Sequence, residues 1–406
     1  MKNSARLALV FLCAAAIPAE AQDRPDLVAA QYAPLPAEMA PEPEGFIAEP
    51  VPVERAAAFM DRHFANGELT NGFYADFWSM IPGAGWISGG PGYRSWYSKD
   101  QVFVDASAAI SWRGYKAGQA RFELPRLFRS RLAVGSQIRW QDFPHVDYFG
   151  EGSDTRESNR TEYHLKSTNL VGYATVRPME WLGIGAQIGW LEPSTTGSGA
   201  FASTLRQPSF MHSEISATAD TRDFPGHPTS GGLFRAAAAR YSDRDTGILS
   251  FRRFEAEGAQ FLPLAGSRVV LALHGWMAAS DTDEGQFVPF YLQPSLGGHN
   301  TLRSYADYRF HDRHMVVVNA EARVAMMTHV DAAAFVDAGN VAARVGDLNF
   351  DKRSYGAGLR LHSRRQTFAR LDVAGGGEGW RLVFRLTDPL NLARLSRRTA
   401  PVPFVP

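Results

Sequence analysis

Leu296-Gly297-Gly298-His299-Asn300-Thr301-Leu302-Arg303-Ser304-Tyr305 is a glycine-rich stretch with a single arginine and a closing aromatic. Two segments of alternating hydrophobicity follow it. In residues 314–326, Val316, Val318, Ala320, Ala322 and Val324 share one face, and Asn319, Glu321 and Arg323 the other. In residues 330–340, Ala332, Ala334, Val336 and Ala338 oppose Asp331, Phe335, Asp337 and Gly339. A period of two is the mark of a strand. A loop guanidinium beside strands that carry carboxylates on their polar face predicts a loop folded back into a polar interior. That arrangement points to a closed barrel with a wet lumen.

The same period runs from about residue 71 to 386. Its polar face carries Arg, Asp, Glu and Gly and almost no Lys. A soluble sandwich turns that face to bulk water. Here the charges are of both signs, as expected where they must pair in a confined space. Connection lengths give an independent check, because outer-membrane barrels have short periplasmic turns and long outer loops. Residues 375–379, 341–351, 280–313, 243–247, 192–208 and 142–159 fall on one side of the wall. Residues 364–365, 328–329, 263–265, 223–231 and 177–180 fall on the other. The longest connections all lie on the outer side, and 280–313 is the longest of them. Further strands are expected near 131–141, 115–124, 101–111 and 85–96, with a weaker one at 72–80. The total is about sixteen, an even count with both ends periplasmic. No sequence motif recurs at a solenoid or propeller period.

Composition agrees with this reading. The 406 residues carry zero formal net charge, which offers nothing to nucleic acid. Mean hydropathy is −0.23, and past the first twenty residues no apolar run is long enough for a transmembrane helix. The N-terminus reads as a signal peptide, residues 1–21. Lys2 and Arg6 precede the apolar stretch 7–17, and Ala19-Glu20-Ala21 forms the cleavage site. Cys13, the one cysteine, lies within it after Leu12, which excludes a lipidation site and leaves the mature chain without thiols. Residues 22–70 are expected to form a flexible periplasmic lead with one short helix at 53–64, its face made by Ala56, Phe59, Met60 and His63. The barrel then spans 71–390, and residues 391–406 form a tail.

Taken together, these residues resemble the outer-membrane assembly and secretion barrels of the bacterial surface antigen superfamily, which includes BamA and TamA. Leu302-Arg303-Ser304-Tyr305 matches the family's loop motif, with Ser304 where the family has glycine. Phe335-Val336-Asp337-Ala338-Gly339 matches its strand motif, and Glu321 fills the acidic place on the strand between. Asp220-Thr221-Arg222-Asp223 before Pro225 and Gly231-Gly232, and Tyr148-Phe149-Gly150, add to the likeness.

The resemblance implies that Arg303 reaches into the lumen, with Glu321 and Asp337 as partners beside Phe335 and Gly339. The alternative leaves Arg303 in solvent and pairs both acids with neighbours such as Arg323. The resemblance also implies a place in the outer membrane, among lipid and lipopolysaccharide. The implied role is membrane biogenesis or protein or lipid translocation, or else that of a passive pore or structural surface antigen. Family members usually carry POTRA domains, whose pattern the lead does not show. The expectation is a short member reduced to its barrel, working with a separate periplasmic partner protein.

No cofactor, metal or bond chemistry is expected. G-x-S-x-G and P-loop motifs are absent. His311-Asp312-Arg313-His314 reads as a loop rim. Asp281, Asp283 and Glu284 read as a solvated loop tip, with a surface cation or lipopolysaccharide as the sharper reading.

Overall fold

The computed structural model describes residues 45–64, 71–77, 87–197, 208–266, 268–363, 366–386, 388, 390, 392, 395 and 398–404. The signal peptide, most of the lead and the 364–365 turn lie outside these residues. A helix, α1 (Val51–Phe64), precedes the strands. The wall begins with β1 (Gly72–Phe77), β2 (Ser88–Tyr97), β3 (Val102–Ser111), β4 (Lys116–Arg126) and β5 (Leu132–Tyr148). It continues with β6 (Thr161–Met179), β7 (Leu182–Gly197), β8 (Phe210–Asp220), β9 (Gly231–Asp243), β10 (Phe251–Pro263) and β11 (Val269–Asp281). Two short strands, β12 (Ser295–Leu296) and β13 (Phe310–His311), pair with each other inside the long loop. The wall resumes with β14 (His314–Met327), β15 (Val330–Ala342), β16 (Lys352–His362), β17 (Thr367–Gly376) and β18 (Gly379–Arg385).

Among the described residues, sixteen strands form one sheet in chain order, with β11 beside β14 and with β1 and β18 at its two ends. Each ladder is antiparallel, as short hairpin connections require. The expected alternation is borne out. β14 buries Asn319, Glu321 and Arg323 while β17 turns Leu371 and Val373 outward. Ile184, Ile188, Ile215, Val336, Leu359, Leu382 and Phe384 are likewise exposed. The protein is thus a barrel turned inside out, with apolar residues on the lipid face and charge within. No helix of the described residues is long and apolar enough to cross a membrane.

The strands on either side of the early outer loops run further than expected. β5 reaches Tyr148 and β7 reaches Gly197, so the wall rises into segments read as loop. Aromatic stacking supports the extension: Tyr115 lies on Phe143, and Tyr163 packs on Phe290 of the long loop.

Two readings near the periplasmic rim need correction. On the expected face of α1, Ala56 and Phe59 are exposed, and burial falls instead on Ala57. The helix touches the barrel along one edge, where Ser363 donates to Asp61 (2.6 Å), so it has no core to fill. Part of the lead is also docked. Phe46 and Ile47 donate backbone hydrogen bonds to Ala325 and Met326, and Glu49 accepts from the His329 backbone. His311-Asp312-Arg313-His314 is no exposed rim either. His311, Asp312 and His314 are buried, because Gly152 of the outer loop 149–160 bonds down onto the His311 carbonyl.

The lipid face yields a test. Leu371 projects outward at the middle of β17, so Leu371→Arg should destabilise the barrel by about 2–4 kcal/mol, the cost of a cation near the bilayer midplane. Urea titration in lipid vesicles measures it, and an unchanged midpoint would contradict the lipid-facing assignment.

Candidate functional site: a charge cluster inside the barrel

The loop between β11 and β14, residues 282–313, folds down into the lumen and delivers Arg303. The side chain is 1% exposed. Its Nε and Nη2 meet Asp337 Oδ2 and Oδ1 at 3.0 and 2.8 Å, while Nη1 donates to Glu321 Oε2 at 2.6 Å. The backbone N–H of Arg303 also reaches Asp337 Oδ2, at 3.2 Å. The planar fork is matched to a carboxylate in the way an arginine, unlike a lysine, allows. The guanidinium carbon lies 3.4 Å from the centre of the Phe335 ring, so the flat cation is also stacked. Burial opposes its charge, but Asp337 and Glu321 outweigh this and hold its pKa above the ordinary arginine range.

Strand register explains the meeting. Glu321 pairs with Phe335, and Asn319 with Asp337, across β14 and β15. Phe335 faces Gly356 on β16. A Cβ at Gly356 would come within 2.0 Å of the Val373 carbonyl and 2.7 Å of the Phe335 ring, so glycine lets the ring lie flat under the arginine. Ser304, in place of the family glycine, is accommodated by a partner: its hydroxyl lies 2.7 Å from Ser354 Oγ, and its N–H donates to the same oxygen. Leu302 and Tyr305 are buried with Phe310, Trp276 and Leu296. Gly339 sits beneath Leu296, where a Cβ would stand 3.2 Å from its methyl.

The reading that left Arg303 in solvent is overturned, although Glu321 does also meet Arg323. Glu321 binds Arg303, and it also accepts from Arg323 Nε and Arg360 Nη2, each at 2.9 Å. Arg360 and Arg370 share Asp372, while Arg323 pairs with Asp388 at 2.9 Å. Arg370 also donates to the His299 carbonyl of the loop, at 2.7 Å. Four guanidiniums thus interleave with Glu321, Asp337, Asp372 and Asp388, so the cluster is neutral as a whole. Arg360, Arg370 and Asp372 stand on the lumen face of β16 and β17. Their convergence depends on register, and Asp388 lies beyond the last strand.

A second anchor was not foreseen. Arg309 donates to Glu378 (2.7 Å) and to Thr155 Oγ1 (2.8 Å), and its guanidinium sits over Phe149. This ties the loop to the outer loop that follows Tyr148-Phe149-Gly150. Burial pushes His299, in the same loop, down to about 4, and Asp307 faces it at 3.5 Å. Asp281 and Asp283 pair with Arg252 at the surface.

The C-terminal tail also enters the lumen. Leu390 and Leu392 pack on Leu233, Phe261, Val270 and Ala272 near the lower mouth. Arg398 stacks on Tyr173, and Gln141 donates to the Val402 carbonyl. At the top, Phe404 lies against Trp276 and beneath Arg253, its N–H bonded to the Tyr291 carbonyl of the loop at 3.1 Å.

At the lower mouth, the turn of residues 221–230 is stiffened from within. Arg222 grips Asp220 with two donors at 2.9 and 2.8 Å, and Asp223 accepts from the Phe224 and Thr229 backbones. Gly231 has φ +81°, and a Cβ there would lie 2.0 Å from the Thr221 carbonyl. These contacts account for the Asp-Thr-Arg-Asp signature and its glycines.

Arg303→Ala leaves Asp337 without its cation, and breaking such a buried pair should cost about 3–5 kcal/mol. Arg303→Lys should recover only part of this, because it keeps the charge and loses the fork and the stacking. Combining Arg303→Ala with Asp337→Asn should cost less than the two single losses added. Urea midpoints of the four proteins measure the coupling, and strict additivity would show that the contact carries none.

Comparison with known proteins agrees with the geometry. A family model for the Omp85 superfamily domain matches residues 103–374. The fold is similar to that of BamA from Haemophilus ducreyi lacking POTRA domains 1–3, with 13% identity and a TM-score of 0.62, over 78% of this chain and 69% of that one. It is also similar to CdiB from Escherichia coli, at 11% identity and a TM-score of 0.53, over 77% of this chain and 61% of that one. A search of curated proteins found no match. The resemblance read from the loop motif is borne out. With the family model covering the wall from β3 to β17, the chain belongs to the Omp85 superfamily and is an outer-membrane β-barrel protein.

Proposed function

We propose that this barrel serves outer-membrane biogenesis or the translocation of protein or lipid, and that it works as a gated, mechanical device without bond chemistry. The burial of Arg303 between Glu321 and Asp337 carries the reading, because it fixes the long loop inside the lumen. The tail supports it from below. Val402 and Phe404 pack with the loop in the upper lumen, and Leu390 and Leu392 pack on the wall in the lower, so the tail stands at both ends of the interior. A client would pass when these segments move, or would use the edges β1 and β18. Outer-membrane lipid and lipopolysaccharide surround the wall, and a periplasmic partner protein would deliver the client to the lower rim, where α1 lies.

The alternative, a passive pore or structural surface antigen, needs no gate. Bilayer conductance separates the two. The full chain should show little steady conductance, and truncation after Leu395 should raise it by removing the upper part of the tail. Depletion in cells should lead to accumulation of unfolded outer-membrane proteins. A steadily open wild-type pore with no assembly defect on depletion would overturn the proposal in favour of the passive reading.

A further inference from the structure

His227, Asp331 and His362 meet at the periplasmic end of the barrel, apart from the Arg303 contacts. His227 rides the 221–230 turn, Asp331 lies at the start of β15 and His362 ends β16. All three are buried. His227 Nε2 is 3.3 Å from Asp331 Oδ2, and His362 Nε2 is 3.2 Å from Asp331 Oδ1. The two imidazoles stack with centroids 3.7 Å apart and planes 8° from parallel. One donor atom from each residue falls within 4.8 Å of the other two. Ligands of a tetrahedral zinc ion, with bonds of about 2.0–2.1 Å, stand roughly 3.3–3.4 Å apart. The nitrogen-to-oxygen separations here match that edge.

Hydrogen bonding fixes the tautomer of His227. Its Nδ1 lies 3.2 Å from Thr367 Oγ1, and that hydroxyl donates its own hydrogen to Asp388 Oδ2 at 3.1 Å. The hydroxyl oxygen must then accept, so Nδ1 carries the hydrogen. A neutral His227 therefore aims the lone pair of Nε2 at a carboxylate oxygen. Two lone pairs face each other there unless a cation lies between them. A proton in that place would create a buried imidazolium stacked face to face on a second imidazole. The stacked rings point their lone pairs in parallel, so one ring must turn out of the stack for a single metal ion to satisfy both rings and the carboxylate together. The outward Nδ1–H bonded through Thr367 to Asp388 is the kind of outer contact that orients metal-binding histidines.

Charge accounting leads to the same place. Arg303, Arg323, Arg360 and Arg370 are matched by Glu321, Asp337, Asp372 and Asp388. Among the described residues, the ion-pair partners of Asp331 are the two histidines.

We propose that His227, Asp331 and His362 bind a divalent first-row transition ion, zinc by its donor set of two imidazoles and a carboxylate. In the sheet order β10, β11 and β14 separate β9 from β15, so the turn carrying His227 must cross the lower mouth to reach this site. A backbone bond from Thr367 N to the Gly226 carbonyl, at 3.2 Å, shows that it does. The ion pins that strap to β15 and β16. The proposal goes beyond the translocation reading and does not depend on it, since a passive barrel would bind the ion equally well.

The test uses the full chain, purified in detergent without a polyhistidine tag and stripped of metal. Calorimetric titration with zinc chloride should show one equivalent bound. His227→Ala and His362→Ala should each abolish that binding, and Thr367→Val should weaken it by about 10–100-fold. X-ray absorption of the wild-type zinc protein should find two imidazole nitrogens in the first shell, a readout that does not require any variant to fold. Failure of the wild type to bind one equivalent, or a shell with fewer than two imidazoles, would overturn the proposal. So would undiminished binding by both histidine variants.

Discussion

A charge in a narrow lumen has to be paired where it stands, and the pairing of Arg303 with Asp337 and Glu321 organises the interior of this barrel. The arginine comes from a loop and the acids from the wall, so the pair converts a long excursion outside the sheet into part of its filling. Once Arg303 is in place, Glu321 must also satisfy Arg323 and Arg360, and Arg323 in turn reaches Asp388 on the tail. Loop, wall and tail share one neutral network. Removing any member leaves a neighbour charged and dry.

This interior stands in the place a hydrophobic core would occupy in a soluble protein. The apolar faces of the strands are spent on lipid, so cohesion within must come from ion pairs, stacked aromatics and segments threaded into the lumen. Arg303 on Phe335, Arg253 over the ring of Phe404 and Arg398 on Tyr173 show the pattern: each cation is seated on a ring as well as facing polar groups.

The wall was legible from the sequence because a strand exposed to lipid on one face and water on the other must alternate. Asn319, Glu321 and Arg323 stood out on one face of β14, and Asp337 on β15. Loop-length parity then set the orientation. The lock itself was legible as a motif, from Leu302-Arg303-Ser304-Tyr305 and Phe335 to Gly339. What remained hidden depended on contacts between distant residues. Arg360 and Asp372 converge on Glu321 only through the β15–β16 and β16–β17 registers, which no local pattern encodes. Amphipathic spacing grouped Ala56 and Phe59 on one side of α1, yet both are exposed, because the helix has no core to face. His227 gave no signal, since its partners lie far away along the chain. The tail was read only as a segment following the barrel, although it carries Leu392, Leu395, Val402 and Phe404.

The tail has a consequence for the order of assembly. It follows the whole wall along the chain, yet it lies innermost, and the Gln141–Val402 contact joins residues 261 apart in sequence. The wall can be built from neighbouring hairpins, each closing a short length of chain. The tail cannot, because a partner such as Gln141 is separated from it by most of the protein, and contacts of that range form slowly. The wall can therefore be complete while the interior is still hydrated, and the barrel passes through a hollow form on its way to the closed one.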